Sequence, residues 1–366
     1  MSDFDKYGDF FEKYTPKPSD ENKKSYIKMT NRAPRKYRKN QFLKVLIVAL
    51  PFILIIALVI GIAVGINSCS TEENGGYTNL SNNSVVEAAG DTDNIKFSLP
   101  IKKDYTINLS SQIDSQNAIL VDCSDNTILA QKSPDKKIYP ASMTKVMTLL
   151  VASENIDSID GQFQMTSKII DPLYLDGPTM AGFCPGETVK IEDMFYGMIL
   201  ESGAEASVGL AEYISGSEEE FVKLMNKKVT DLGLKNTHFT NVTGLHNDSH
   251  YTTCSEMAVI MKAALENDFC KKVLSTEYYN VAPNSHHEEL KFHSTMFSRM
   301  YGTEPGVATI LGGKTGYTVT SGNCLVSYGV TDDGRNIICV TADGGGKYKP
   351  IYDCIMLYKT YTHPSK

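Results

Sequence analysis

Apolar positions along the chain change period several times. From Val45 to Ile66 the run VLIVALPFILIIALVIGIAVGI holds 22 residues without a charge, enough to cross a bilayer core as a helix. Polar and small residues then take over, among them Glu72, Glu73, Asn74, Gly75, Gly76, Asn79, Ser81, Asn82, Asn83 and Ser84, with too little apolar surface to offset ordering entropy. Residues 67–111 are therefore expected to form a linker. Ala118–Cys123 and Thr127–Lys132 are strand-like runs joined by Ser124-Asp125-Asn126, which predicts a hairpin. From Tyr139 the period lengthens: Met143, Val146, Met147, Leu149 and Leu150 recur at helical spacing behind Pro140, whose fixed φ suits a first turn.

After an irregular stretch containing Pro172, Gly177, Pro178, Gly182, Pro185 and Gly186, helical patterns return over about Ile191–Leu200, Ala204–Ile214 and Glu218–Leu232. Thr253-Cys254-Ser255-Glu256 has the form of a capping box ahead of Met257–Leu265. The last third is rich in β-formers over Leu311–Tyr317, Asn323–Val330 and Asn336–Ala342, with Asp332-Asp333-Gly334 as a turn. Tyr348–Tyr358 reads as a closing helix, with Pro350 tolerable in its first turn. Strands at both ends with helices between predict one α/β domain over 112–362, its sheet built from both termini of the domain. No internal repeat is evident.

Charge adds an orientation. Residues 1–41 carry 11 Lys/Arg against 6 Asp/Glu, whereas the rest of the chain carries 25 against 37. The acidic balance of the larger part argues against nucleic acid as a partner. The basic segment before the apolar run places the N-terminus in the cytoplasm by the positive-inside rule. A cleaved signal peptide has a shorter apolar region and a brief n-region, and here 44 residues precede the run, so 42–66 is expected to be an uncleaved single-pass membrane anchor. The expected order is a cytoplasmic tail (1–41), the anchor (42–66), the linker (67–111) and an extracytoplasmic domain (112–362).

The eight cysteines, Cys69, Cys123, Cys184, Cys254, Cys270, Cys324, Cys339 and Cys354, all follow the span and show no C-x-x-C spacing. They are expected to serve mostly as small buried apolar residues. His286, His287 and His293 lie near Glu288 and Glu289, but H-E-x-x-H is absent, and a solvated loop is the expected setting.

Chemistry concentrates at three places. Ser142 and Lys145 stand three apart on the predicted helix, hence on one face. A serine hydroxyl needs a base to become a nucleophile, and a lysine serves as one only where burial or nearby cations keep it neutral. The S-x-x-K spacing also occurs at Ser25 to Lys28 and Ser133 to Lys136, but the first lacks apolar periodicity and the second contains Pro134. Glu201-Ser202-Gly203-Ala204 sits at a junction of two predicted helices, where a serine by itself reads as an N-cap. Gly312-Gly313-Lys314-Thr315-Gly316-Tyr317 places a cation and a hydroxyl on a predicted strand, a pair suited to a carboxylate, and Gly316 lets a ligand approach the backbone.

In this order these elements resemble the serine penicillin-binding proteins and β-lactamases, whose three motifs are S-x-x-K, S-x-N and K-T-G. The likeness is closest to the low-molecular-mass serine D-alanyl-D-alanine carboxypeptidases. Tyr139–Lys145, Pro185-Gly186-Glu187, Leu232–Asn241, Gly244-Leu245 and Gly313–Gly316 carry it, over roughly Ala118 to Tyr358. It implies the β-lactamase/transpeptidase-like fold, an antiparallel sheet from both ends of the domain flanked by the helical middle region, and acyl transfer without a metal or other cofactor. Ser142 would attack the carbonyl between the two terminal D-alanines of a peptidoglycan stem peptide, with Lys145 as base and Ser202 as proton relay. Lys314 and Thr315 would hold the substrate carboxylate beside Gly316. The backbone N–H groups of Ser142 and Tyr317 would form the oxyanion hole. β-Lactams would act as acylating inhibitors.

One departure matters: Ala204 stands where the family has Asn, and a missing buried hydrogen-bonding partner costs roughly 1–3 kcal/mol. A slower enzyme, a different substrate or replacement by another group such as Glu205 are all open. A β-lactamase and a non-catalytic peptidoglycan or β-lactam receptor remain alternatives, although no E-x-x-L-N segment is found to supply the activated water of a class A β-lactamase. Many relatives also anchor through a C-terminal amphipathic helix and carry a second, β-rich domain.

Overall fold

The computed structural model describes residues 97–362 apart from Glu304. The basic tail, the apolar run 45–66 and most of the expected linker lie outside these residues, and no helix among the described residues is long and apolar enough to cross a membrane. In chain order the elements are β1 (Ile101–Asn108), β2 (Asn117–Asp122) and β3 (Thr127–Lys132), then a 3₁₀ turn at Ala141–Met143 leading into α1 (Thr144–Asn155). The middle holds β4 (Gln162–Gln164), α2 (Ser167–Asp176), β5 (Thr188–Lys190), α3 (Ile191–Leu200), α4 (Ala204–Ser215), α5 (Glu218–Asp231), α6 (Cys254–Leu265) and α7 (Asp268–Ser275). A small hairpin of β6 (Tyr278–Val281) and β7 (Leu290–His293) follows, then the single turn α8 (Phe297–Met300), the strands β8 (Ala308–Thr318), β9 (Gly322–Thr331) and β10 (Asn336–Gly344), and α9 (Lys349–Tyr361).

Six strands form the main sheet in the order β1-β3-β2-β10-β9-β8. Strands from the two ends of the domain meet where β10 pairs antiparallel with β2, Cys339 opposite Leu120. Helices cover both faces. On β2, Ile119 and Val121 join the core of the helical region, while Ala118 and Leu120 join the core that includes Ile351, Leu357 and Tyr358 of α9. β10 divides in the same way, Ile338 and Val340 against Ile337 and Cys339, so these central strands read as continuous apolar runs. α1 runs through the helical region, and its residues Thr144 through Ala152 are buried on every side.

Four expectations need correction. The stretch assigned to the linker contains β1, which extends the sheet as an edge strand. Only Thr106 of its eight residues is buried, and so little burial leaves no clear apolar period to read. β1 also pairs parallel with β3, so the sheet is mixed rather than wholly antiparallel. The supposedly irregular stretch includes α2 with Pro172 inside it, capped by Thr166 at one end and by left-handed Gly177 at the other. The capping box is half formed as well: Thr253 Oγ1 accepts the Glu256 backbone N–H, but the Glu256 carboxylate turns to the backbone N–H groups of Lys235 and Asn236.

Candidate active site

Ser142 occupies the 3₁₀ turn just before α1, and the turn is held by backbone rather than by side chains. Met143 N donates to Pro140 O at 3.1 Å, and Ala141 adopts a left-handed φ of +47°. A non-glycine residue there stores strain of about 1–3 kcal/mol and persists only where its surroundings enforce it. Two glycines enforce it here. A Cβ on Gly316 of β8 would lie 2.9 Å from Pro140 O and 3.0 Å from Ser142 N, and one on Gly244 would overlap the Ala141 carbonyl. The turn is wedged between the edge of the sheet and the loop before α6, and only side-chain-free residues allow that approach.

Lys145 is 2% exposed, and its Nζ donates to Ser142 Oγ at 3.3 Å and to the Thr243 carbonyl at 2.6 Å. Burial lowers its pKa to about 7, with Glu205 acting in the opposite sense. Asn241 Oδ1 shapes the loop that supplies this carbonyl by accepting the N–H groups of Thr243 and Gly244. His250 braces the same loop: its Nδ1 accepts the Thr240 N–H at 3.1 Å, so the ring proton sits on Nε2 and is donated to Thr144 Oγ1 at 2.7 Å. Burial holds His250 neutral, its pKa lowered to about 3.

Ser202 lies at the junction of α3 and α4, 8% exposed and with φ of +65°. No hydrogen bond joins it to Ser142, Lys145 or Lys314 among the described residues. Lys314 and Thr315 are buried on β8, Gly316 lies against the serine turn, and Tyr317 is exposed. Burial, reinforced by Lys145 and Arg299, pushes the Lys314 pKa well down, and Glu201 opposes it. Lys314 Nζ donates to Thr315 O at 3.1 Å.

A strap absent from the sequence reading ties the second motif to the third. His293 N donates to Glu201 Oε1 at 2.7 Å, Thr295 N donates to Leu200 O at 3.2 Å, and Thr295 Oγ1 bonds Thr315 Oγ1 at 2.8 Å. Ala204 is fully buried with its N–H on Thr179 O, and Glu205 beside it bonds Gly182 and Phe183 rather than Lys145. The expected solvated histidines divide: His286 is exposed and His293 stacks on Tyr278, whereas the His287 side chain is 8% exposed and bonds Glu187 Oε1 at 2.6 Å. Among the described residues no group of three or more His, Cys, Asp or Glu is placed to hold a metal ion. Of the seven described cysteines, all free, five are buried.

A family model described as D-alanyl-D-alanine carboxypeptidase, peptidase S11, matches residues 104–345. The chain belongs to this family. Within it, the D-alanyl-D-alanine carboxypeptidase DacF of Bacillus subtilis strain 168 is 36% identical over 216 residues, 58% of this chain and 54% of that protein. DacA of Escherichia coli K12 is 34% identical over 165 residues, 43% of this chain and 40% of that one. The chain thus spans about half the length of the curated carboxypeptidases it matches. A serine-to-alanine mutant of the Streptomyces K15 DD-transpeptidase matches with a TM-score of 0.63 at 22% identity, over 68% of this chain and 99% of that one. The D-alanyl-D-alanine carboxypeptidase DacD of Francisella tularensis matches with a TM-score of 0.60 at 24% identity, over 68% and 70%. At such identities the two structures speak for the shared mixed α/β penicillin-binding fold.

Proposed function

We propose that the protein is a membrane-anchored serine D-alanyl-D-alanine carboxypeptidase that trims peptidoglycan stem peptides through an acyl-enzyme on Ser142. The observation that carries this reading is the pairing of Ser142 Oγ with a buried Lys145 whose pKa is lowered to about 7, because a neutral amine 3.3 Å from the hydroxyl can take its proton. The Ser142 oxygen attacks the carbonyl carbon between the terminal D-alanines, and the proton moves to Lys145. The oxyanion forms toward the backbone N–H groups of Ser142 and Tyr317, an arrangement typically worth about 3 kcal/mol per donor. Ser202 passes a proton toward the departing amine, D-alanine leaves, and water releases the shortened peptide. Lys314 and Thr315 hold the terminal carboxylate, whose negative charge favours the protonated form of the buried lysine beside the hydroxyl on the edge strand.

Residues 45–66 anchor the protein in the cell membrane, with residues 1–41 in the cytoplasm and the catalytic domain outside, where its substrate lies. β-Lactams acylate the same serine. The test is release of D-alanine from a synthetic peptide ending in D-Ala-D-Ala. The chain is expected to release one D-alanine per peptide, and Ser142→Ala to lower the rate by about a thousandfold or more. Equal release by the Ser142→Ala variant would contradict the reading.

A further inference from the structure

Ser202 holds a left-handed φ of +65°, a strained backbone for a residue with a side chain, and such a backbone persists only where its surroundings enforce it. Two supports meet there. One is the segment 179–183: Thr179 O accepts the Ala204 N–H at 2.9 Å, and a Cβ on Gly203 would lie 2.7 Å from that of Ala181. The other is the end of β7, where His293 N donates to Glu201 Oε1 at 2.7 Å and, just beyond it, Thr295 N donates to Leu200 O at 3.2 Å. The supports also pack on each other, Phe183 edge-on to Phe292 with ring centroids 5.9 Å apart.

Their far ends are joined by a buried ion pair that the rest of the site does not use. The Glu187 side chain, just before β5, is 1% exposed, and that of His287, in the loop between β6 and β7, is 8% exposed. His287 Nδ1 donates to the Glu288 carbonyl at 2.6 Å, so the 2.6 Å contact between Nε2 and Glu187 Oε1 holds a further proton, and the ring is an imidazolium facing a carboxylate. Asn284 Nδ2 donates to the same oxygen at 2.9 Å, its orientation fixed by Asn284 Oδ1, which accepts the His286 N–H at 2.8 Å. Glu187 Oε2 accepts the Cys184 N–H at 2.8 Å, one residue beyond the first support. A buried ion pair contributes little net stability, since desolvation offsets the attraction. What it does define is the distance between the two segments that carry it.

We propose that Glu187 and His287 are positioning residues of this site: their ion pair locks the β6–β7 hairpin to the segment 179–187, and the two together hold Ser202 in its strained backbone for proton transfer. The proposal rests on the carboxypeptidase reading, and the test tells the two apart. The full chain is reacted with benzylpenicillin over a range of drug concentrations, and intact mass gives the acylation rate at saturation and the half-saturating concentration. Glu187→Gln and His287→Gln should each lower the saturated rate about tenfold and leave the half-saturating concentration within about twofold, because a displaced Ser202 affects the chemical step rather than capture of the drug. The double variant should be no slower than the slower single, since both residues act through one contact. His287→Lys keeps a cation beside Glu187 and should recover most of the rate lost in His287→Gln.

A loss of packing alone lowers the folded fraction, read by circular dichroism and by the extent of acylation, and leaves the rate of the folded protein unchanged. Saturated rates equal to wild type in both Gln variants, or a double variant slowed by the product of the two singles, overturn the proposal and leave the carboxypeptidase reading standing. If Glu187→Gln does not fold, the His287 variants decide: a rate lowered by Gln and restored by Lys supports the proposal, and a rate equal to wild type in both, or lowered alike in both, overturns it. A folded wild-type chain that neither forms an adduct nor consumes the drug overturns the carboxypeptidase reading, and this proposal with it.

Discussion

At the scale of single residues, the site concentrates groups that the fold would be more stable without. Lys145 and Lys314 are buried amines whose pKa values burial lowers, Lys145 to about 7 from an ordinary 10.5. Below pH 7 Lys145 is charged in both folded and unfolded chains, and the folded state bears the full cost of burying the ammonium. Between about 7 and 10.5 the unfolded chain binds more protons than the folded one, so the cost falls as pH rises and is gone above 10.5. Lys145→Met, similar in shape and without charge, should stabilise the chain most below pH 7. That gain should shrink by about 1.4 kcal/mol per pH unit above it, as read by urea denaturation at several pH values. A pH-independent difference would contradict the assigned lysine. On the proposed mechanism the same substitution removes the base, so stability and activity oppose each other at this position.

At the scale of elements, the placement of Ser142 is a packing problem between a turn, a strand and a loop. Gly244, at φ +84°, lets the loop that carries the Thr243 carbonyl press onto Ala141, and Gly316 lets β8 do so from the other side. Gly244→Ala combines a disfavoured backbone angle with overlap on the Ala141 carbonyl. It should cost about 3 kcal/mol or more and shift the urea midpoint downward without changing the slope. A variant as stable as the parent would show that the loop can move away from the serine turn, and the wedge would lose its support. These contacts were not legible in the sequence. Ser142 and Lys145 announce themselves because a helical repeat of three links them, but the acceptor for Lys145 is a backbone carbonyl 98 residues away, and no local pattern encodes which carbonyl a loop presents. The strap through His293 and Thr295 escaped for the same reason. Gly244-Leu245 carried family likeness without revealing that its glycine is needed for close approach.

At the scale of the whole molecule, the sheet closes only because the two ends of the domain pair, β2 with β10, and α9 locks the closure. Asp353 of α9, itself buried, accepts the backbone N–H groups of Asp114 and Ser115 and the Ser115 hydroxyl, tying the last helix to the segment before β2. This architecture was readable because central strands buried on both faces give continuous apolar runs and the helices between them keep their period. Ile191–Leu200 was readable to the residue. β1 was not, because an edge strand with one buried residue resembles a polar linker, and Pro172 hid α2 by reading as a break. The fold sets the strand of Lys314 against the turn of Ser142 and ties Leu200 and Glu201 to that strand through His293 and Thr295, and the central claim is that this neighbourhood activates Ser142. The most direct measurement is the intact mass of the full chain after incubation with benzylpenicillin, beside the Ser142→Ala variant with its fold confirmed by circular dichroism. The account predicts one covalent adduct on the wild-type chain and none on the variant; an adduct of equal yield on both, or a folded wild-type chain that neither forms an adduct nor consumes the drug, would contradict it.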